Sequence, residues 1–365
     1  MKKLNDLMNI ELLEQLIADG FISRKFHKKF PLALLKYSHK AQFDNTLVWG
    51  NELNYSRELI YNTDTLELVA TPFKKFWNFQ DASHPETLEE NLPNEIPLIT
   101  TKMDESLIIW YAWEGKNYLA TCGSFDSDQA IWANEWLQKN HPNLITPDNY
   151  TLLSEAIYKE NRIVVQYDFE DLVTLSAIHK ETGKEMPRKE LETYCKANQL
   201  TIVQDHCKTL LECAEEDLPN FEGYIFTYPN GLKVKFKQLT YVALHRIITN
   251  LNPKAIWELL RDGKEQTINE WLIDKRMSSE FKNWLNKWNK QLHNDFNEIE
   301  KSVKIIFNNK PISENRKEIA LYFTSENNKE YSSLLFSLFD GKEISSLIWK
   351  KIEPKFADVY RAEDE

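Results

Sequence analysis

Through the first 250 or so residues, apolar and polar positions alternate over short runs; beyond them, apolar residues recur every three or four positions. The runs NTLVWG, RELIYN, LELVAT, SLIIWYAW, NYLATCGS, NRIVVQY, LVTLSAI, EGYIFTY and GLKVKFK predict strands. Turn strings between them, Glu114-Gly115-Lys116-Asn117 and Pro229-Asn230-Gly231, predict antiparallel hairpins. One helix interrupts the strands. Asp126 or Ser127 can cap it, Ile131, Trp132, Trp136 and Leu137 form its apolar face, and His141-Pro142 stops it. Before the strands, MKKLNDLMNIELLEQLIADG reads as an amphipathic helix.

The later pattern is helical. Asn252 is placed to cap a helix with Pro253 in its first turn, running through Ile256, Leu259 and Leu260 to Gly263. Phe281, Leu285, Trp288, Leu292, Phe296, Ile299, Val303 and Ile306 then mark one stripe on a helix of about 30 residues. Trp284 and Trp288 fall on or beside that stripe, so they are expected in a core rather than as platforms for stacking bases. Leu334, Leu338 and Phe339 before Gly341, and Ile344, Ile348 and Ile352 before Pro354, predict two further helices. The expected class is α+β: an antiparallel-sheet domain over residues 1–248, then an all-α C-terminal domain over 249–365.

Composition narrows the function classes. The chain has 365 residues, long enough for two domains, with eleven Trp and 42% apolar residues to fill their cores. A net charge of -11 argues against a general coating of nucleic acid or anionic membrane, though it leaves room for a local basic cleft. No stretch approaches the ~18 apolar residues of a membrane span. The N-terminus lacks the apolar run of a signal peptide. Cys122, Cys195, Cys207 and Cys213 form no CxxC pair, and with His206 their spacing fits no usual zinc pattern, so reduced cytosolic thiols are expected.

There is no phosphate-cradling Gly-rich loop and no GxSxG elbow. The candidate chemistry lies in lysines and carboxylates on strands. In GLKVKFK, side-chain alternation puts Lys233, Lys235 and Lys237 on one strand face, ~7 Å apart. Such a comb is tolerated in open water or around a polyanion, and the pattern alone favours the solvated face. Lys102-Met103-Asp104-Glu105 enters the run LIIWYAW; it fits a surface ion pair or a lysine nucleophile.

Taken in order, these segments resemble the phage tRNA-repair type of ATP-dependent RNA ligase, a branch of the covalent nucleotidyltransferases. Ser56-Arg57-Glu58 and Thr71-Pro72-Phe73-Lys74-Lys75-Phe76-Trp77-Asn78 resemble its upstream arginine and RPxxKFFN element. Lys102-Met103-Asp104 stands at KxDG, and Cys122-Gly123-Ser124 at KGS. Glu155 before Asn161-Arg162-Ile163-Val164, then Glu222-Gly223-Tyr224, then Lys235-Phe236-Lys237 before Tyr241-Val242, complete the set.

The resemblance implies an ATP-grasp-like ligase catalytic domain followed by a helical domain that selects RNA. It implies that Lys102 attacks the α-phosphorus of ATP, that AMP passes to a 5′-phosphate RNA end, and that a 3′-OH then displaces it. Arg57, Lys75, Lys235 and Lys237 would bind phosphates, Glu155 the ribose, and Glu222 a Mg²⁺ or Mn²⁺ ion through water. The implied partners are ATP and single-stranded or nicked-loop RNA, tRNA among them, with no membrane; the location would be cytoplasmic, the host cytoplasm for a phage-encoded chain. Oligomeric state is not legible. Attack by Lys102 requires a lowered pKa, which neighbouring cations and the metal are expected to supply.

Two positions depart from the family pattern. Glu105 replaces the Gly of KxDG and is expected to add negative charge beside the nucleotide; Cys122 replaces the Lys of KGS, with Lys116 or Lys233 as expected substitutes. The alternative reading is a catalytically degenerate nucleotide- or RNA-binding relative.

Overall fold

The computed structural model describes residues 2–355 except 45, 148, 275 and 278. The chain forms two compact units, one ending at Ala243 and the other beginning at Leu244.

The first unit carries the strands β1 (Ile22–Phe26), β2 (Leu32–Tyr37), β3 (Arg57–Asn62), β4 (Leu68–Ala70), β5 (Trp77–Asn78), β6 (Leu98–Lys102), β7 (Ser106–Trp113), β8 (Lys116–Thr121), β9 (Tyr150–Ile157), β10 (Asp171–His179), β11 (Asp205–His206), β12 (Gly223–Thr227) and β13 (Lys233–Lys237). They form three sheets, ordered β1-β2-β3-β4, β10-β9-β7-β8 and β11-β6-β12-β13-β5. All the pairings are antiparallel except β13 with β5. The turn between β7 and β8 places Glu114 and Gly115 at φ of 51° and 75°, the left-handed pair that a two-residue hairpin needs.

The first two sheets face each other. Leu32, Leu34, Ile60 and Ala70 of one pack with Ile109, Tyr111, Ala120, Leu153 and Ile178 of the other. Ala33, Leu35, Leu59 and Tyr61, on the opposite side of the first sheet, are covered by Leu4, Leu7, Leu13 and Leu16 of the helices Leu4–Leu7 and Ile10–Ala18. The outer face of the second sheet is covered by Ala133 and Leu137 of helix Asp128–Asn140 and by Leu191 and Cys195 of helix Arg188–Ala197. Ser127 caps the former by accepting from the Ala130 N–H.

Two expected strands are absent. NTLVWG leads into the short helix Asn51–Asn54, and NRIVVQY is a loop after a 3₁₀ turn at Lys159–Asn161. The loop has a cause: the amides of Val164 and Val165 donate to the Asp104 carboxylate, not to a neighbouring strand.

Among its described residues, the regular elements of the second unit are all helices. Asn252 caps Pro253–Arg261 by accepting from the Ala255 N–H, and Ser279–Asn308 is a helix of 30 residues. Helices Ser332–Phe339 and Ser345–Lys351 follow, with Arg316–Phe323 before them. Their core contains Val303, Ile319, Phe323, Leu335 and Ile348. Among the described residues, no helix is long and apolar enough to cross a membrane.

Candidate functional site

The site grows from the register of the third sheet. Strand β12 lies between β6 and β13, and Gly223 is opposite Lys102 on one side and Lys237 on the other. The preceding residue, Glu222, therefore stands between two lysines. Its Oε2 accepts from Lys102 Nζ at 2.7 Å and its Oε1 lies 3.0 Å from Lys237 Nζ, while its side chain is almost wholly buried. Gly223 permits this closeness. Its φ is +150°, and a Cβ there would fall 1.9 Å from the Phe236 carbonyl oxygen.

Lys235 stands two residues before Lys237 on the same strand face. Burial and the charges of Arg57, Lys75, Lys102 and Lys237 push its ammonium pKa well below the ordinary lysine value. Arg57, Lys75, Lys102 and Lys237 are thus close enough for their charges to act on Lys235. Lys75 reaches the cluster because Trp77 and Asn78 add as a parallel strand beside Val234 and Lys235. Its Nζ donates to Tyr37 Oη at 2.7 Å and lies 4.6, 5.7 and 4.8 Å from the ring centres of Tyr37, Trp49 and Trp77. Lys233 is diverted from the comb: it pairs with Glu185 at 2.9 Å and donates to Thr227 at 2.7 Å.

Lys102 itself has the reverse of the expected shift. Burial acts to lower its pKa, but Glu222, Glu155 and Asp104 outweigh burial and raise it. The groups nearest the candidate nucleophile are carboxylates, and the cations stand behind them. Asp104 is the hub of this arrangement. Its Oδ2 accepts from the amides of Val164 at 2.9 Å and Val165 at 2.8 Å, and its Oδ1 from Tyr241 Oη at 2.5 Å. Its own amide donates to Tyr167 Oη at 2.9 Å. Burial and the Glu222 charge nonetheless hold its carboxyl up at about 6.

Glu155, on β9, is buried and accepts from the Glu105 amide at 3.0 Å. Burial drives the Glu155 carboxyl up to about 8 and, with the Asp104 and Glu155 charges, the Glu105 carboxyl to about 11. Glu105 is therefore neutral near pH 7. Desolvation favours its neutral form, which lessens the expected repulsion of a triphosphate. Glu58, fully buried at φ +87°, is likewise driven by burial to about 8. Its carboxyl adjoins Cys122, whose thiol burial pushes up to about 12.

Every expected site residue thus lies in the first unit. Lys102, Glu222, Lys235, Lys237, Arg57 and Lys75 share one cluster, and the Glu155 charge acts on Lys102. Sequence reading passed over Tyr241, Tyr167 and the two valine amides that fix Asp104. Tyr241 was visible in its motif, but nothing in the sequence connects an aspartate with a hydroxyl 137 positions away. Among the described residues, no group of three or more His, Cys, Asp or Glu side chains is disposed to hold a metal ion.

A "Putative RNA ligase" of Thermovibrio ammonificans is 25% identical over 221 residues, so this chain spans about half the length of that curated relative, 54%. Among solved structures, an archaeal ATP-dependent RNA ligase superposes with a TM-score of 0.46 at 12% identity, over 91% of this chain and 96% of that one. A Naegleria gruberi RNA ligase with PPi does so with a TM-score of 0.32 at 15% identity, over 41% and 51%. Neither superposition is close enough to assign chemistry. The RNA ligase family model matches residues 55–241, more than half of the chain and the whole of the segment that supplies Arg57 through Lys237, and by that match this chain belongs to the RNA ligase family.

Proposed function

We propose that this protein is an ATP-dependent RNA ligase that seals 5′-phosphate and 3′-OH ends through a lysyl-AMP intermediate on Lys102, with tRNA repair as its role. The observation that carries this reading is the register of β6, β12 and β13, which puts Lys102 and Lys237 on the one Glu222 carboxylate with Lys235 on the strand beside it. Glu222 gathers Lys102 and Lys237 beside Lys235, and a bound polyphosphate would bring this half-buried cluster further anionic oxygens.

In the first step the Lys102 nitrogen forms a bond to the α-phosphorus, and the bond from that phosphorus to pyrophosphate breaks. The amine must first lose a proton, and the Glu222 oxygen at 2.7 Å is in line to accept it. Lys235, Lys237, Arg57 and Lys75 neutralise the phosphate oxygens, and Glu155 faces the ribose hydroxyls. In the second step an RNA 5′-phosphate oxygen attacks the same phosphorus and returns the electron pair to Lys102, which regains a proton. In the third, an RNA 3′-OH attacks the end phosphate and AMP leaves.

The donor set suits a divalent cation only in part. Glu222 offers one carboxylate that two ammonium groups already hold, which fits a Mg²⁺ or Mn²⁺ shared with nucleotide phosphates better than a site built by protein alone. Such an ion would supply charge neutralisation, and it would weaken the carboxylate field that now keeps Lys102 protonated. The helical unit is the proposed selector of single-stranded or nicked-loop RNA.

A second reading, a ligase-fold protein that binds nucleotide without turnover, draws support from the raised Lys102 pKa and from Cys122 at the family's lysine position. Intact-mass analysis after incubation with ATP and Mg²⁺ separates the two. One added AMP, lost in Lys102→Ala, supports the ligase; no adduct, or an adduct that persists in Lys102→Ala, refutes the mechanism. The same incubation with GTP tests nucleotide choice.

A further inference from the structure

Position 122 has lost the family's cation, but the turn it begins has not been left without one. Lys36, on β2, reaches the Cys122-Gly123 turn. A Cβ on Gly123 would lie 3.0 Å from the Lys36 Cδ and 3.2 Å from its Nζ, so the bare glycine is what gives this side chain its room. The Lys36 charge acts on both the Cys122 thiol and the buried Glu58 carboxyl, each time together with Arg57.

Lys36 and Arg57 are partners across β2 and β3, next to an irregularity between Leu35 and Lys36. The register thus sets two cationic residues side by side at the edge of this turn, where anionic oxygens would meet both. Arg57 is also one of the charges that act on Lys235. Lys36 therefore extends the cation cluster of the nucleotide site along β2 to the turn at residue 122. The two substitutes expected from sequence are elsewhere. Lys233 is held by Glu185, and Lys116 begins β8 opposite Trp113, some six residues or roughly 20 Å of strand from the turn.

We propose that Lys36 binds phosphate oxygens of the ATP triphosphate, supplying from β2 the charge that position 122 lacks. This assignment rests on the nucleotide-site reading above. Since both source and place of the charge are specified, relocation of the charge tests it.

The experiment is equilibrium dialysis of the full chain against labelled ATP whose α,β-bridge is a methylene, so that no AMP can be transferred, with Mg²⁺. Lys36→Met is expected to weaken ATP binding at least tenfold, Lys36→Arg to retain most of it, and Lys36→Met with Cys122→Lys to recover it to within about threefold of the unaltered protein. Circular dichroism verifies that each variant folds. Lys36→Met binding as tightly as the unaltered protein overturns the proposal, and so does a loss that neither Lys36→Arg nor the relocated lysine repairs. A parallel arm seals a pre-adenylated RNA end, a step that needs no triphosphate, and Lys36→Met should be indifferent there. A defect confined to that arm would give Lys36 to the RNA phosphate and refute the assignment to ATP. Affinity does not depend on covalent chemistry. An unaltered protein that binds the methylene-bridged ATP but gains no AMP from ordinary ATP therefore refutes the lysyl-AMP mechanism and leaves the Lys36 result valid; one that binds neither overturns both.

Discussion

Gly223→Ala isolates the feature on which the site geometry depends. Strand β12 is the middle of a five-strand sheet, and Gly223 faces Lys102 and Lys237 on its two sides. An alanine Cβ would lie 1.9 Å from the Phe236 carbonyl oxygen and 2.9 Å from the Phe236 carbonyl carbon and the Lys237 Cα. An ordinary carbon–oxygen contact is about 3.3 Å, so β12 and β13 would have to part by more than ~1 Å where paired strands sit only ~4.8 Å apart. Backbone, not a flexible side chain, is what blocks the way. Overpacking of this kind costs about 1–3 kcal/mol or more, and a non-glycine residue in this φ region adds about 1–3 kcal/mol. A total near 4 kcal/mol corresponds to a fall in Tm of roughly 8–16 °C for a unit of this size. Gly231→Ala is the control: at φ +90° with nothing within 4 Å of its Cβ, it bears the backbone cost alone. Urea unfolding of both variants reads the difference. A Gly223→Ala protein less than 1 kcal/mol below the unaltered one, or no worse than Gly231→Ala, would refute the steric account of the site.

Three further outcomes follow from the same geometry. Because Glu222 helps to raise the Lys102 pKa, Glu222→Gln should move the alkaline inflection of the first-step rate to lower pH while reducing the maximal rate; an unchanged or higher inflection in a pH series of AMP labelling would contradict this. Burial holds Glu58 and Glu155 at about 8 and Glu105 at about 11, all above their unfolded values near 4.5, so folding takes up protons and stability is greatest at acid pH and falls as pH rises from about 5 to 8. The slope is at most about 4 kcal/mol per pH unit for three protons; urea titrations at pH 5 and 7 check its sign, and Glu58→Gln should flatten it. In the helical unit the Trp257 indole donates to the Trp349 carbonyl at 2.8 Å in a buried position, so Trp257→Phe should cost about 1–3 kcal/mol in thermal or urea unfolding.

The family pattern explains why Lys102 and Glu222 attract attention, but it does not explain how a glutamate at position 105 is tolerated. The structure gives a physical answer. Glu105 is buried beside Asp104 and Glu155, and desolvation makes its charged form more costly than a proton. Burial thus favours the neutral acid at this position. Cys122 is a parallel case, since its thiol stays protonated and the cation moves to another strand.

By itself the sequence determined the helices with clear caps or stripes and seven of the nine strand runs it offered. Ser127 and Asn252 cap the helices they were expected to cap, and the three-and-four stripe from Phe281 to Ile306 lies within the 30-residue helix Ser279–Asn308. These features are governed by neighbours a turn apart, which a linear pattern displays. Strands β2 and β9 went unrecognised: Leu32 to Leu35 are buried on both faces, as is nearly all of Tyr150–Ile157, so neither shows the alternation of a half-exposed strand. The run at Ile163–Val165 was apolar enough for a strand, yet Asp104 takes its amides. Only tertiary structure decided the electrostatics. Glu222 meets Lys102 from 120 positions away and Lys36 reaches the turn at Gly123 across two sheets, and whether a carboxyl or an ammonium keeps its charge depends on desolvation and on distances of a few ångströms that the strand register sets.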